Sequence, residues 1–194
     1  MARYTTRQAV AGDGKTQLYQ LLDAAAGVLV SIAPSCGGEM SSFQLRRSAD
    51  APWQEMLYRG GDFSEELPPH GWQGRAPHLW PAVGRSYLDE QVAAFEASGE
   101  KKERPAACKY KDLDGTTREI GVHGFAMQCE WGVIPGSATA DDEAGASVGV
   151  VLDSSKVPEA IGASQYPHDY QFAARYTLKV SDSQSDSQVV GARV

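Results

Sequence analysis

The chain has 194 residues, 42% apolar and 22% charged, the balance of one ordinary globular domain able to bury a core. A net charge of −7 with no basic run excludes a nucleic-acid groove, because phosphate binding needs gathered Lys and Arg. Three scattered cysteines, Cys36, Cys108 and Cys129, form no CxxC pair, so neither a zinc site nor a disulfide framework is expected.

The first residues, "MARYTTRQAVAGDGKTQ", have no apolar signal core, and no run of about 18 apolar residues offers a membrane span. Free thiols fit a reducing compartment, so the cytoplasm is the expected location. "RYTTRQAV" and "QLYQLLD" read as two strands around the turn "AGDGK". That turn glances at a phosphate loop, but Ala9 stands where the first glycine belongs, and no helical pattern follows Thr16. "AAGVLVSIAP" is a β-branched strand closed by Pro34, and "MSSFQLRR" pairs with it across "SCGGE". "WQEMLYRGG" is a further short strand.

Between glycines, "GRAPHLWPAVGR" at 74–85 carries two prolines, a histidine, a tryptophan and two arginines. Pro81 fixes its φ and Gly84 permits a tight bend, which gives Arg85 a rigid base. The guanidinium fork suits a carboxylate or vicinal hydroxyls. The plainer alternative is a surface pair with Asp89 or Glu90. Trp53, Trp72, Trp80 and Trp131 suit either a sugar face or the core. In "SYLDEQVAAFEASGEKKER", Leu88, Val92, Ala93 and Phe95 fall near one helical face and Gly99 stops the helix, leaving a solvated loop after it.

"YKDLDGTTREI" reads as a hairpin around Asp114-Gly115, and "HGFAMQCEWGVI" as a half-buried strand. "SATADDEAGAS" reads as a polar loop, "VGVVLDSS" as a strand, and "YQFAARYTLKV" as a strand alternating Phe172, Ala174, Tyr176, Leu178 and Val180. The SDSQ near-repeat after residue 180 has too few apolar groups to order itself and is expected to be disordered. Of four histidines, His70, His78 and His168 lie in loops. His123 opens a strand beside Gly124, where a ligand can come close and a proton can be exchanged near neutral pH. Taken alone, that residue favours a structural histidine over a site residue.

"GRAPHLWPAVGR" followed by "VHGFAMQCEW" at 122–131 resembles the paired motifs of the aldose 1-epimerase (galactose mutarotase-like) family. "LLDAAAGVLVSIAPSCGGEMSSFQ" and "YPHDYQFAARYTL" support the likeness. The resemblance implies an all-β fold, an antiparallel β-sandwich of the galactose mutarotase-like supersandwich type, incomplete and with one inserted short helix. Residues 1–180 match the first half of such a domain, and 181–194 match nothing in it. It implies an isomerase that interconverts the α and β anomers of a free aldose such as glucose or galactose, with no metal, no redox cofactor and no nucleic-acid or membrane partner. Arg85 would hold sugar hydroxyls, and His123 would be both catalytic and substrate-binding. The family's later histidine and its glutamate base have no counterpart here. Glu39, Glu55, Asp62 and Glu130 are the carboxylates available to replace the base. Three readings follow: a shortened, weakly active or inactive epimerase, a sugar-binding module without turnover, and a fragment that works through a partner. A sandwich cut near its middle also implies an open sheet edge on the last strand and self-association through it.

Overall fold

The computed structural model describes residues 2–59, 74–99, 108–160 and 164–180. His70, Trp72, Asp62, the loop expected after Gly99 and the tail after residue 180 lie outside that set. Strands β1 (Tyr4–Val10), β2 (Gln17–Asp23), β3 (Val28–Ala33), β4 (Glu39–Leu45) and β5 (Gln54–Glu55) form one antiparallel meander in chain order. A hairpin of β6 (Cys108–Lys111) and β7 (Thr117–Ile120) stands apart. The second large sheet has the order β11 (Gln171–Leu178), β10 (Gly145–Asp153), β8 (Gly132–Val133), with β9 (Thr139–Asp141) also paired to β10. The fold is all-β and antiparallel, with one α-helix among the described residues, α1 (Asp89–Ser98). No helix among the described residues is long and apolar enough to cross a membrane.

Local chemistry explains the turns. Asp13 takes the amides of Lys15 and Thr16 and the Thr16 hydroxyl onto its carboxylate. "AGDGKT" is therefore a hairpin turn, with the Lys15 and Thr16 amides spent on the Asp13 side chain and those of Ala11 and Gly14 on backbone carbonyls. Asp23, fully buried, accepts from the amides of Ala25 and Ala26 and pairs with Arg3. A buried carboxylate is tolerated there because each oxygen has a donor. Between β3 and β4 the register slips at Ser31/Ile32, and the Ser41 hydroxyl turns back to the Ser31 carbonyl.

The two large sheets stack face to face over one core. Tyr4, Leu21, Val30 and Ile32 come from the first sheet, and Val148, Val150, Leu152, Ala174, Tyr176 and Leu178 from the second. The alternation expected along the last strand is present: Ala174, Tyr176 and Leu178 are buried while Gln171, Ala173 and Arg175 are exposed. β3 is buried along its whole length, which its unbroken run of small and branched side chains allows.

Three readings of the sequence need correction. "HGFAMQCEWGVI" is not one strand. His123 and Gly124 take positive φ, a single 3-10 turn spans Ala126–Gln128, and only Gly132–Val133 is extended. Residues 125, 127 and 129 alternate in type, but backbone bonds to a distant loop outweigh that pattern. "SATADDEAGAS" is not only a loop, because Thr139–Asp141 pairs with β10 across a turn capped by Asp141. "WQEMLYRGG" contributes a strand of two residues, and Glu55 explains why. Its carboxylate accepts from the Phe43 and Leu57 amides and the Ser42 hydroxyl, so a side chain replaces further ladder bonds.

Candidate functional site

The stretch 74–85 is held by backbone bridges at both ends. Gly74 faces Arg59 and Ala76 faces Met40, while Trp80 lies parallel to Gly124. The Trp80 carbonyl accepts from the amides of both Phe125 (2.9 Å) and Ala126 (3.0 Å). This closeness requires glycine at 124: its φ is +70°, and a Cβ there would lie 2.2 Å from the Trp80 oxygen. The Trp80–Pro81 peptide is cis. The Trp80 ring is an anchor, not a free sugar platform, because it packs among Phe125, Tyr166, Tyr170 and Phe172. Trp131 is buried, and Trp53 lies under the Arg46 guanidinium.

Clamping 80–84 against 121–126 brings Arg85 and His123 into one cleft. The His123 amide donates to the Gly84 carbonyl (2.8 Å), and the Gly84 amide donates to His123 Nδ1 (2.9 Å). Such a reciprocal pair fixes the ring. With Nδ1 accepting, the neutral imidazole carries its proton on Nε2, which stays available as a donor. His123 itself has φ +67°, a conformation uncommon outside glycine and one that re-aims a side chain. Arg85 is exposed, and its guanidinium reaches the Tyr87 hydroxyl at 3.5 Å. Among the described residues it has no carboxylate partner. Glu90 pairs with Lys111 instead, so the plainer surface pairing is not what is seen.

The cleft has a volume of about 520 Å³. Tyr87, Val122 and two side chains of α1, Val92 and Phe95, complete its lining. The helix starts where the Leu88 amide meets Gln91 Oε1, and it ends where Gly99 turns left-handed at φ +69°. Asp89 and Glu90 in the first turn suit its dipole. It buries none of its residues, so it is peripheral and sits beside the cleft.

A second polar cluster lies on the sandwich side of the same loop; the sequence reading singled out Glu39 in it, as a carboxylate available to replace the base, but not its partner Arg75. Arg75, at φ +63°, pairs with the buried Glu39 at 2.5 Å. Burial pushes the Glu39 carboxyl up to about 7, against the pull of Arg75 and Arg59. His78 stacks on Trp131 at 4.7 Å between ring centroids, and its Nε2 is 2.8 Å from the Tyr176 hydroxyl. Tyr176 donates to the Gly38 carbonyl, so His78 is the donor in their shared bond. Burial holds the His78 pKa down and the Tyr176 pKa up. Two arginines in one rigid loop were the available signal. Nothing local singles out the partner of the first, because Glu39 lies far off in the chain, at the start of β4.

The remaining candidates are dispersed. Glu55 is occupied by its backbone and hydroxyl donors, and Glu130 is exposed, outside the cleft lining. His168 binds Asp112 at 2.8 Å, next to the Arg118–Asp112 pair. Cys36, Cys108 and Cys129 are free thiols. No group of metal-ligating side chains gathers among the described residues.

The all-β antiparallel fold that carries this cleft is shared by solved structures. The Slr1438 protein of Synechocystis sp. PCC 6803 matches with a TM-score of 0.55 at 19% identity, over 84% of this chain and 44% of that one. A galactose mutarotase-like protein of Lactobacillus casei ATCC 334 matches with a TM-score of 0.50 at 19% identity, over 90% of this chain and 40% of that one. At such identities the likeness is one of fold, and the chain spans less than half the length of either structure. No known family profile matches the chain, and no curated protein does.

Proposed function

We propose that the Arg85–His123 cleft binds a free aldose such as glucose or galactose, in the manner of an aldose 1-epimerase. The observation that carries this reading is the reciprocal Gly84–His123 bonding, which seats a histidine donor beside an arginine that has no carboxylate partner among the described residues. Mutarotation needs a base to take the proton from the anomeric hydroxyl and an acid to protonate the ring oxygen. His123 Nε2 is a suitable donor to either oxygen, and the Arg85 fork suits paired hydroxyls. No carboxylate lines the cleft among the described residues. A missing acid or base forfeits about 10²–10⁴ in rate, so binding should outlast turnover, and a sugar-binding module is the second reading. Three free thiols fit the cytoplasm as its place of work.

The test is titration with glucose and galactose by NMR, with polarimetry alongside. Saturable binding is expected, together with mutarotation at or little above the buffer rate. Arg85→Ala should weaken binding roughly 10- to 100-fold, the loss of a charge-assisted hydrogen bond of about 1.5–3 kcal/mol. Absence of saturable binding to both sugars would remove the proposal. Turnover on the order of 1–10³ per second would show a complete acid–base pair and exclude the binding-module reading.

A further inference from the structure

Four of the side chains that line the cleft are apolar or aromatic: Tyr87, Val92, Phe95 and Val122. Only Arg85 and His123 offer strong polar groups. A bare hexose carries hydroxyls around its whole rim, and hydroxyls turned to such a wall would lose water without gaining partners. One aromatic ring can stack on the C–H face of a sugar, but Val92 and Phe95 form a second apolar surface beyond it. Both stand on α1, whose side chains are otherwise unused by the core. Val92 keeps 39% of its surface exposed, as a residue awaiting a partner would. The volume, about 520 Å³, falls within the ~300–1,000 Å³ range of sites that hold ligands larger than one small ring.

Resting on the sugar-binding reading above, we infer that α1 makes this cleft selective for sugars that bear an apolar substituent. The sugar's hydroxyls meet Arg85 and His123, and an aromatic or branched group packs against Phe95 and Val92. Phenyl β-D-glucoside and phenyl β-D-galactoside are the simplest probes of that chemistry. The phenyl ring caps the anomeric oxygen, so these probes report binding alone and cannot turn over.

The experiment is calorimetric titration of the full chain and of Phe95→Ala with each phenyl glycoside and its parent hexose. Phe95 supports no core packing, and alanine is the best helix former, so the variant should keep its fold. Circular dichroism checks that it does. Each phenyl glycoside should bind at least about tenfold more tightly than the hexose, and Phe95→Ala should erase that preference by weakening the glycoside far more than the hexose. Equal affinity for hexose and phenyl glycoside, or a preference that survives Phe95→Ala, overturns the inference and leaves sugar binding standing. If neither sugar form binds, the sugar reading fails and this inference with it; if free phenol binds as well as the glycosides do, this inference alone fails.

Discussion

Gly84 directly precedes Arg85 and Gly124 directly follows His123, yet the two glycines do different physical work. Both have positive φ, but a Cβ at Gly84 would meet nothing within 4 Å, whereas at Gly124 it would strike the Trp80 backbone. Gly84→Ala should therefore cost about 1 kcal/mol of backbone strain, and Gly124→Ala several times that, because the clash is with main chain that cannot turn aside. Urea unfolding of the two variants checks the order. Gly99 also turns left-handed in open space, so a stability contrast between positions 84 and 99 has no basis in packing. Glu39 gives a second prediction at this scale. Its folded pKa, about 7, lies above its ordinary 4.5, so the protonated form favours folding. That contribution is complete below pH 4.5 and is lost as pH rises through 7. Relative to Glu39→Gln, the native chain should be most stable at the acid end of this window and lose the advantage toward pH 7. Melting temperatures of both proteins across pH 4.5–8 provide the measurement, and a flat difference would mean that Arg75 keeps the carboxylate ionised throughout.

At the scale of elements, the legible parts were those whose side-chain period decides their fate. β1 to β4, β10, β11 and the β6–β7 hairpin follow from alternation and turn residues, and α1 from spacing and Gly99. What escaped was decided by long-range backbone pairing. The Trp80 carbonyl curls 125–128 into a 3-10 turn although those residues alternate like a strand, and nothing local in them announces it. Likewise the Arg85–His123 cleft was legible as two rigid motifs, while the Glu39–Arg75 pair depended on which strand the loop crosses. Since α1 buries nothing, replacing 88–99 with a short flexible linker should leave the β circular dichroism spectrum intact. The Ser86–Lys109 backbone bond just outside the helix keeps the two ends together. Loss of the β signal would show that the helix supports the sheets.

For the whole molecule, the sheet edge matters most. β11 pairs with β10 alone among the described strands. The exposed side chains of that strand include Gln171, Ala173 and Arg175, and none of the large exposed apolar residues lies on β11. Any self-association should therefore run through backbone pairing rather than a greasy patch. Light scattering after size exclusion should detect concentration-dependent dimers, and Ala173→Lys should disperse them by placing like charges along the paired edges. A strict monomer at all concentrations would count against edge pairing.

The mutual grip of Gly84 and His123 has a consequence for isotope labelling. The Gly84 amide hydrogen is held by the imidazole and by nothing else in the described structure, so it leaves for deuterium only when the ring lets go. That single hydrogen is a built-in gauge of the histidine's posture. A protonated ring can no longer accept at Nδ1, and the Gly84 amide should then exchange quickly. A ligand that holds the ring in place from its Nε2 side should slow the exchange without touching the glycine.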